Sequence, residues 1–225
     1  MSNFERLTLA RWMKWLDRID LELVVMHMNR KVWRDTIDMM RSNNHIKTTG
    51  AFFADFLTRL YVDGQAMRVR RQGEVNTGVV SLARLIDSIQ SNPQFLTKER
   101  HIGLYAEVYP DDEVMAEVAK SEFEAAWGVD APHVDPERLV ADLDELGSVV
   151  GPVKDFADKH VAHLDYTPVD EMPTFNELNA AIDVFGTLFS KYYLALTGSS
   201  KGVSATIIDD WMAPFQVAWS LPQPN

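Results

Sequence analysis

One short stretch of the sequence concentrates side chains that could carry out proton transfer. Residues 156–165 read F-A-D-K-H-V-A-H-L-D, with Asp158 and Lys159 beside two histidines, His160 and His163. On an α-helix the two imidazoles lie about 60° apart on one flank of an apolar stripe. Histidine titrates near neutral pH, so it can accept or donate a proton. The spacing predicts a proton-transfer or ligand-binding edge; two partly buried histidines with a structural role are the alternative.

The sequence argues against several other kinds of active site. It has no cysteine, which excludes disulfides, thiolate nucleophiles and cysteine metal sites. An i, i+3 histidine pair needs further ligands to hold a metal, and the other histidines show no ligand spacing. No nucleophile-elbow pattern supports a Ser-His-Asp triad. We therefore predict neither a metal nor a cofactor. The other histidines are His27, His45, His101 and His133.

A second candidate site is the basic cluster Arg68, Arg70 and Arg71. Arginine suits bidentate contact with phosphate, so the cluster could bind RNA or a nucleotide. The alternative is a solvated helix C-terminus, where the helix dipole favours cations.

Helical periodicity predicts the elements that position these residues. An apolar stripe with i, i+3, i+4 spacing covers residues 4–41, as one long helix or two joined near residue 28. The next helix is capped by Thr48 or Thr49 and ends at Gly73. A third is capped by Asn76 or Thr77 and closes at residues 92–93. The face of the second helix that we expect in the core is Phe53, Phe56, Leu57, Leu60, Gly64 and Met67.

The C-terminal half contains the strongest helix signals. Asp135-Pro136-Glu137 predicts a helix start. The apolar stripe that follows keeps its phase through Gly151-Pro152, which predicts a long, kinked helix over residues 136–165 or two nearly coaxial helices. Thr174 and Glu177 fit a capping box. A short helical tail over about 204–220 completes an all-α helical bundle, which we expect to be one domain over residues 1–225.

Charge and composition limit the classes of function. Residues 1–100 carry 16 basic and 11 acidic side chains, whereas residues 101–225 carry 6 and 22. The net charge of −11 argues against a protein that coats nucleic acid, although a basic face on the N-terminal half stays open. We find no long apolar run and no apolar signal core at the start. We therefore expect a cytoplasmic location and no membrane partner.

The string at residues 158–165 resembles the D-K-x-[IV]-A-H-x-D signature of the HEPN superfamily, specifically its abortive-infection AbiU-type branch. The upstream helix over residues 53–72, with Asp63 and the basic cluster, is similar as well, and the likeness covers about residues 12–196. It implies a four-helix core with extra helices and a homodimer. Many relatives are metal-independent ribonucleases of toxin–antitoxin or phage-defence systems, which would make an antitoxin protein a further partner.

The resemblance also assigns roles to residues. Relatives carry an arginine four to six residues before a histidine: the histidine moves a proton at the ribose or the leaving oxygen, and the arginine stabilises phosphate charge. His163 matches the histidine, but Ala157 stands where relatives often carry the arginine. We therefore expect a HEPN-like scaffold that binds a nucleotide, RNA or a partner. The alternatives are an active ribonuclease and an unrelated adaptor that dimerises through its N-terminal helix.

Overall fold

The computed structural model describes residues 2–162, 172–204, 207 and 210–216. Within these residues the chain forms eight α-helices and no β-strand, which confirms the all-α prediction. None of the helices there combines the length and the apolar character needed to cross a bilayer. The helices are α1 (Asn3–Ser42), α2 (Asn44–Thr49), α3 (Ala51–Gln72), α4 (Leu82–Gln90), α5 (Lys98–Val108), α6 (Glu113–Trp127), α7 (Pro136–Phe156) and α8 (Phe175–Thr197).

Four long helices surround the core. Helix α1 packs against α3 and α8, and α7 packs against the same two helices. The N-terminal apolar stripe lies on one continuous helix, α1, and its apolar side chains are buried in the core of the same chain. Burial of such side chains is the main favourable contribution to folding. The fully buried members on α1 are Trp12, Leu16, Ile19, Leu23 and Met26.

Helix α7 begins where the sequence predicts. The Asp135 carboxylate accepts a hydrogen bond from the backbone amide of Glu137, and Pro136 occupies the first turn. The helix continues through Pro152 to Phe156, and residues Ala157–Ala162 then form a π-helical turn. The last part of the predicted helix, residues 163–165, lies outside the described residues.

The end of α3 lies directly against α7 at Gly73. A Cβ atom on Gly73 would lie 2.5 Å from Cγ1 of Val150, closer than any side chain tolerates. A glycine therefore permits this close approach, which brings the basic end of α3 near the π-helical turn.

Two predicted caps are wrong. Thr48 and Thr49 lie inside α2, whose start is capped by Asn43, and α3 follows Gly50 without a side-chain cap. Helix α4 is capped by Ser81 instead of Asn76 or Thr77. The Ser81 hydroxyl donates to the Glu74 carbonyl and accepts from the Arg84 amide, so the helix start is fixed by a loop contact. A pattern of cap residues next to the helix start does not predict this contact.

The predicted core face of α3 is mostly wrong: Met67 packs against the core, but Phe53, Phe56 and Leu60 are about half-exposed. The face that packs inside the bundle carries two glutamines, so apolar periodicity alone selects the opposite side. The Gln65 side-chain amide donates to the Met26 carbonyl at 2.8 Å, and the Gln72 side-chain oxygen accepts from the Leu82 amide at 3.0 Å. These hydrogen bonds satisfy polar groups that would otherwise be costly to bury. The buried residues of α3 are Tyr61, Val62, Gln65, Ala66, Val69 and Gln72.

The C-terminal tail differs from the predicted helix over about 204–220. Its described part is helical only at Ala213–Gln216, as a short 3₁₀ turn. Trp211 and Phe215 meet edge to face with ring centroids 6.2 Å apart, and both line the groove between α1 and α3.

Candidate functional site

The motif segment after α7 is wound as a π-helix. Its hydrogen bonds run from i to i+5, so it turns less per residue than the α-helical wheel used for the sequence. Ala157 is fully buried in the core, while Lys159 and His160 are exposed. The His160 ring contacts Phe156 edge to face, with centroids 5.5 Å apart. The imidazole of His160 is therefore accessible to solvent, where a ligand could meet it.

His163, the residue that matches the histidine of the HEPN signature, lies outside the described residues. Its orientation toward a groove with a basic neighbour stays a prediction. The described neighbours in the motif are Asp158, Lys159 and His160, and a π-helical turn of this kind frequently occurs at functional sites.

The basic cluster and the motif segment, both predicted from the sequence, are joined by an ion pair. The Arg70 guanidinium, from the last turn of α3, contacts the Asp158 carboxylate at the start of the π-helical turn. Both side chains are about one-third exposed. The structure therefore places an arginine beside the motif from another helix, while Ala157 leaves the local position without one.

The rest of the basic cluster contacts a carboxylate on α1. Glu22 accepts hydrogen bonds from Arg68 at 2.7 Å and from Arg71 at 2.9 Å. Three guanidinium groups thus face two carboxylates, Glu22 and Asp158. A phosphate that bound here would compete with both carboxylates, and Arg71, which is half-exposed, is the most accessible of the three.

The outward face of α3 exposes several large apolar side chains. Phe52 is 84% exposed, and the aromatic or aliphatic side chains of Phe53, Phe56 and Leu60 are about half-exposed. We call these four residues the α3 stripe. On the helical wheel they lie opposite the buried residues of α3, and they include three of the side chains that the sequence pattern places in the core.

An apolar groove runs beside the α3 stripe, between α1 and α3. Its cavity has a volume of about 510 Å³. Trp33 lines the groove, and its ring is stacked on Tyr61 and on Phe175 at centroid distances of 4.6 Å each. Burial raises the pKa of Tyr61 above its ordinary value. The groove walls include Val32, Leu57, Gly64, Trp211 and Phe215.

The α3 stripe is the feature that the sequence analysis missed. The large apolar side chains of F-F-A-D-F-L-T-R-L lie on one side of a helix, whereas Tyr61, Val62, Ala66 and Val69 lie on the other side. A signal was therefore present, because a helix with two apolar sides can bury one and expose the other. Periodicity alone could not say which side was which.

Comparisons of the chain with protein-family models, with curated proteins and with solved structures found no match. Within the described residues, no three His, Asp or Glu side chains lie close enough together to hold a metal ion.

Proposed function

We propose that this chain is a HEPN-like helical scaffold that acts by binding a partner, and that the α3 stripe is the binding surface. The observation that carries the proposal is the exposure of three phenylalanines and a leucine on one helix face. Large exposed apolar patches of this kind commonly mark interaction sites. The sequence predicts a scaffold that binds a nucleotide, RNA or a partner. Of these three ligands, the exposed face favours the partner.

The energetics favour association at this surface. Burying an exposed phenylalanine or leucine contributes roughly 1.5–3 kcal/mol, and a half-exposed one about half of that. A few such side chains at the centre of an interface supply most of its affinity. The groove beside the stripe adds a concave apolar surface with aromatic walls, which suits an inserted apolar side chain.

Features of the motif segment also favour a binding role over catalysis. Ala157 replaces the expected arginine and is fully buried, so its position faces the core and not a substrate. The nearest described arginine, Arg70, is engaged by the Asp158 carboxylate. Both features reduce the positive charge available to stabilise a phosphate transition state.

A second candidate function is a metal-independent ribonuclease, and the position of Arg70 favours it. Arg70 approaches the motif from α3 and could supply the missing cation if a phosphate displaced Asp158. This hypothesis predicts RNA cleavage in the presence of a chelator, abolished by His163→Ala and strongly reduced by Arg70→Ala. Cleavage that persists in the His163→Ala variant would contradict the ribonuclease hypothesis.

RNA or nucleotide binding without cleavage is tested separately. If the basic cluster is the site, changing Arg68, Arg70 and Arg71 together to alanine abolishes binding of labelled RNA or nucleotide. Equal affinity of the triple variant and the wild type would exclude the cluster.

The scaffold proposal is tested by photo-crosslinking in cells that express the full chain. Phe56 is replaced by the photoreactive p-benzoylphenylalanine, and Val114 of α6 is replaced likewise as a control, since it is exposed but lies outside the stripe. The proposal predicts a discrete covalent adduct from position 56 and none from position 114. An absence of adduct from position 56 at equal expression would contradict it.

A further inference from the structure

We infer that residues 210–216, which we call the tail turn, are a built-in occupant of the groove between α1 and α3. The partner displaces the tail turn with an amphipathic peptide helix that carries two aromatic side chains one turn apart. This inference rests on the proposed function, because it names the class of partner and the control of access to the same surface.

The tail turn carries two aromatic rings at the groove. Trp211 and Phe215 both line the groove cavity, and their rings meet edge to face with centroids 6.2 Å apart. Two backbone hydrogen bonds close the turn, from the Ala213 amide to the Asp210 carbonyl at 3.0 Å and from the Phe215 amide to the Met212 carbonyl at 2.9 Å. The rings therefore stand at i and i+4, the spacing at which two side chains share one face of a helix.

The groove itself is built by the long helices. The Trp33 ring of α1 is stacked on Tyr61 of α3 and on Phe175 of α8. The Trp33 indole N–H also donates to the Thr58 hydroxyl at 3.5 Å. None of these four residues belongs to the tail turn, so the groove keeps its aromatic lining when the tail turn leaves. A preformed apolar site of this kind binds a peptide at a low cost of reorganisation.

The tail turn is held weakly enough to be displaced. Its helical part is a four-residue 3₁₀ turn, Ala213–Gln216, and hydrogen bonds in such turns have poorer geometry than those of an α-helix. All four of these residues are exposed, and Trp211 is only half-buried. Segments with few buried apolar contacts open at a low cost in free energy. The tail turn therefore covers part of the groove without belonging to the core.

The chain is anchored just before the tail turn. The Lys201 ammonium lies 2.7 Å from the Asp20 carboxylate of α1 and 5.4 Å from the centre of the Tyr193 ring. Val203 packs against the core. The groove begins at Asn29, nine residues after Asp20 and about 14 Å further along α1. This tether keeps a displaced tail turn near the groove, at an effective concentration on the order of millimolar.

The tail turn and a partner compete for one surface. Phe53 and Leu60 belong to the α3 stripe and also line the groove. Phe53 and Phe215 together line an adjoining cavity of about 340 Å³. A partner that covers the stripe therefore reaches the surface beside which the tail turn lies. Peptide helices that bind in grooves insert anchor side chains at i and i+4, so two aromatic residues of the partner take the places of Trp211 and Phe215.

Peptide binding to the purified full-length chain tests the inference. The probe is a fluorescein-labelled synthetic peptide with the sequence of residues 207–217, and fluorescence anisotropy measures its affinity. We expect it to bind the double variant Trp211→Ala/Phe215→Ala, whose groove is open. The wild type should bind it at least about tenfold more weakly, because the tethered tail turn competes. A control peptide in which Met212 and Phe215 are exchanged places the two rings side by side and should lose most of the binding.

Two glycines show where the peptide binds. A Cβ atom at Gly64 of α3 or at Gly103 of α5 would meet no other heavy atom within 4 Å, so both helix positions accept a larger side chain. Gly64 lines the groove, whereas Gly103 does not. In the double variant, Gly64→Leu should fill the groove and abolish peptide binding, and Gly103→Leu should leave the affinity unchanged. Circular dichroism verifies that each variant is folded.

The outcomes separate this inference from the proposed function. The inference is overturned if the double variant does not bind the peptide, if the wild type binds it equally well, or if Gly64→Leu leaves the binding intact. In each of these cases an adduct from position 56 in cells still supports the α3 stripe as a binding surface. If the peptide binds as expected but position 56 forms no adduct, the groove holds only its own tail turn. The proposed function and the partner named here then both fall.

Discussion

Arg70 and Asp158 form an ion pair that joins the last turn of α3 to the π-helical turn after α7. The residues lie 88 positions apart in the sequence. This contact connects the basic cluster with the motif segment, so a change at one reaches the other.

We predict that Arg70→Ala loosens the motif turn more than it destabilises the whole fold. The pair is about one-third exposed, so its loss should cost only about 0.5–1 kcal/mol in the free energy of unfolding. Hydrogen exchange at the amides of residues 157–162 should become faster. Arg59→Ala, which removes an ion pair elsewhere on α3, is the control and should leave exchange there unchanged. Wild-type exchange rates in the Arg70→Ala variant would show that the pair does not hold the turn.

The buried position of Ala157 predicts that the HEPN arginine cannot simply be restored. Ala157→Arg would place a charged side chain in the core without a partner, at a cost of more than about 3 kcal/mol. The same arginine at exposed position 160, as His160→Arg, should change stability by no more than about 0.5 kcal/mol. Urea denaturation compares the two variants. Near-wild-type stability of Ala157→Arg would mean that this side of the turn faces solvent.

His101 makes stability sensitive to pH. It is 2% exposed between Tyr105 and Phe123, and neither ring nitrogen has a hydrogen-bond partner. Burial lowers the pKa of His101, against an opposing effect of Glu122 and with a smaller lowering by Arg100. The unfolded chain therefore takes up a proton more readily than the folded one.

The expected sign follows from that difference. The stabilising contribution is fully present above about pH 6.5 and is lost as the pH falls from there toward the lower pKa of the folded state. His101→Phe should reduce the loss of unfolding free energy between about pH 7.5 and about pH 5.5. The pKa of His27 is lowered as well, mainly by burial, so part of the pH dependence should remain. The exposed His45→Gln is the control, and an unchanged pH dependence in His101→Phe would contradict the prediction.

Local chemistry made much of the fold predictable. Asp135 before Pro136 and the Thr174–Glu177 capping box each mark a helix start that the structure confirms, because a cap acts within one turn of its own helix. The apolar stripe of α1 was predictable because its spacing matches one face of a helix. Five of its side chains are fully buried in the structure.

Contacts between distant segments were not predictable in the same way. Gln65 and Gln72 look unsuited to a core until Met26 and Leu82 supply their hydrogen-bond partners. The periodicity of α3 therefore selected the wrong face. The π-helical winding after Phe156 likewise changes which side chains share a face, and the pairing of Arg70 with Asp158 depends on tertiary packing.

We expect the α3 stripe to contribute mainly to association and little to the folding of a single chain. We test this expectation with the free energy of unfolding of Phe56→Asp, measured at low protein concentration so that association does not add to stability. We expect a loss of no more than about 1.5 kcal/mol, because Phe56 is 48% exposed and only about half of its side chain is buried. Phe185→Ala, at a fully buried position, should by comparison lose about 3–5 kcal/mol. A loss of that size in Phe56→Asp would place Phe56 in the core and contradict the account.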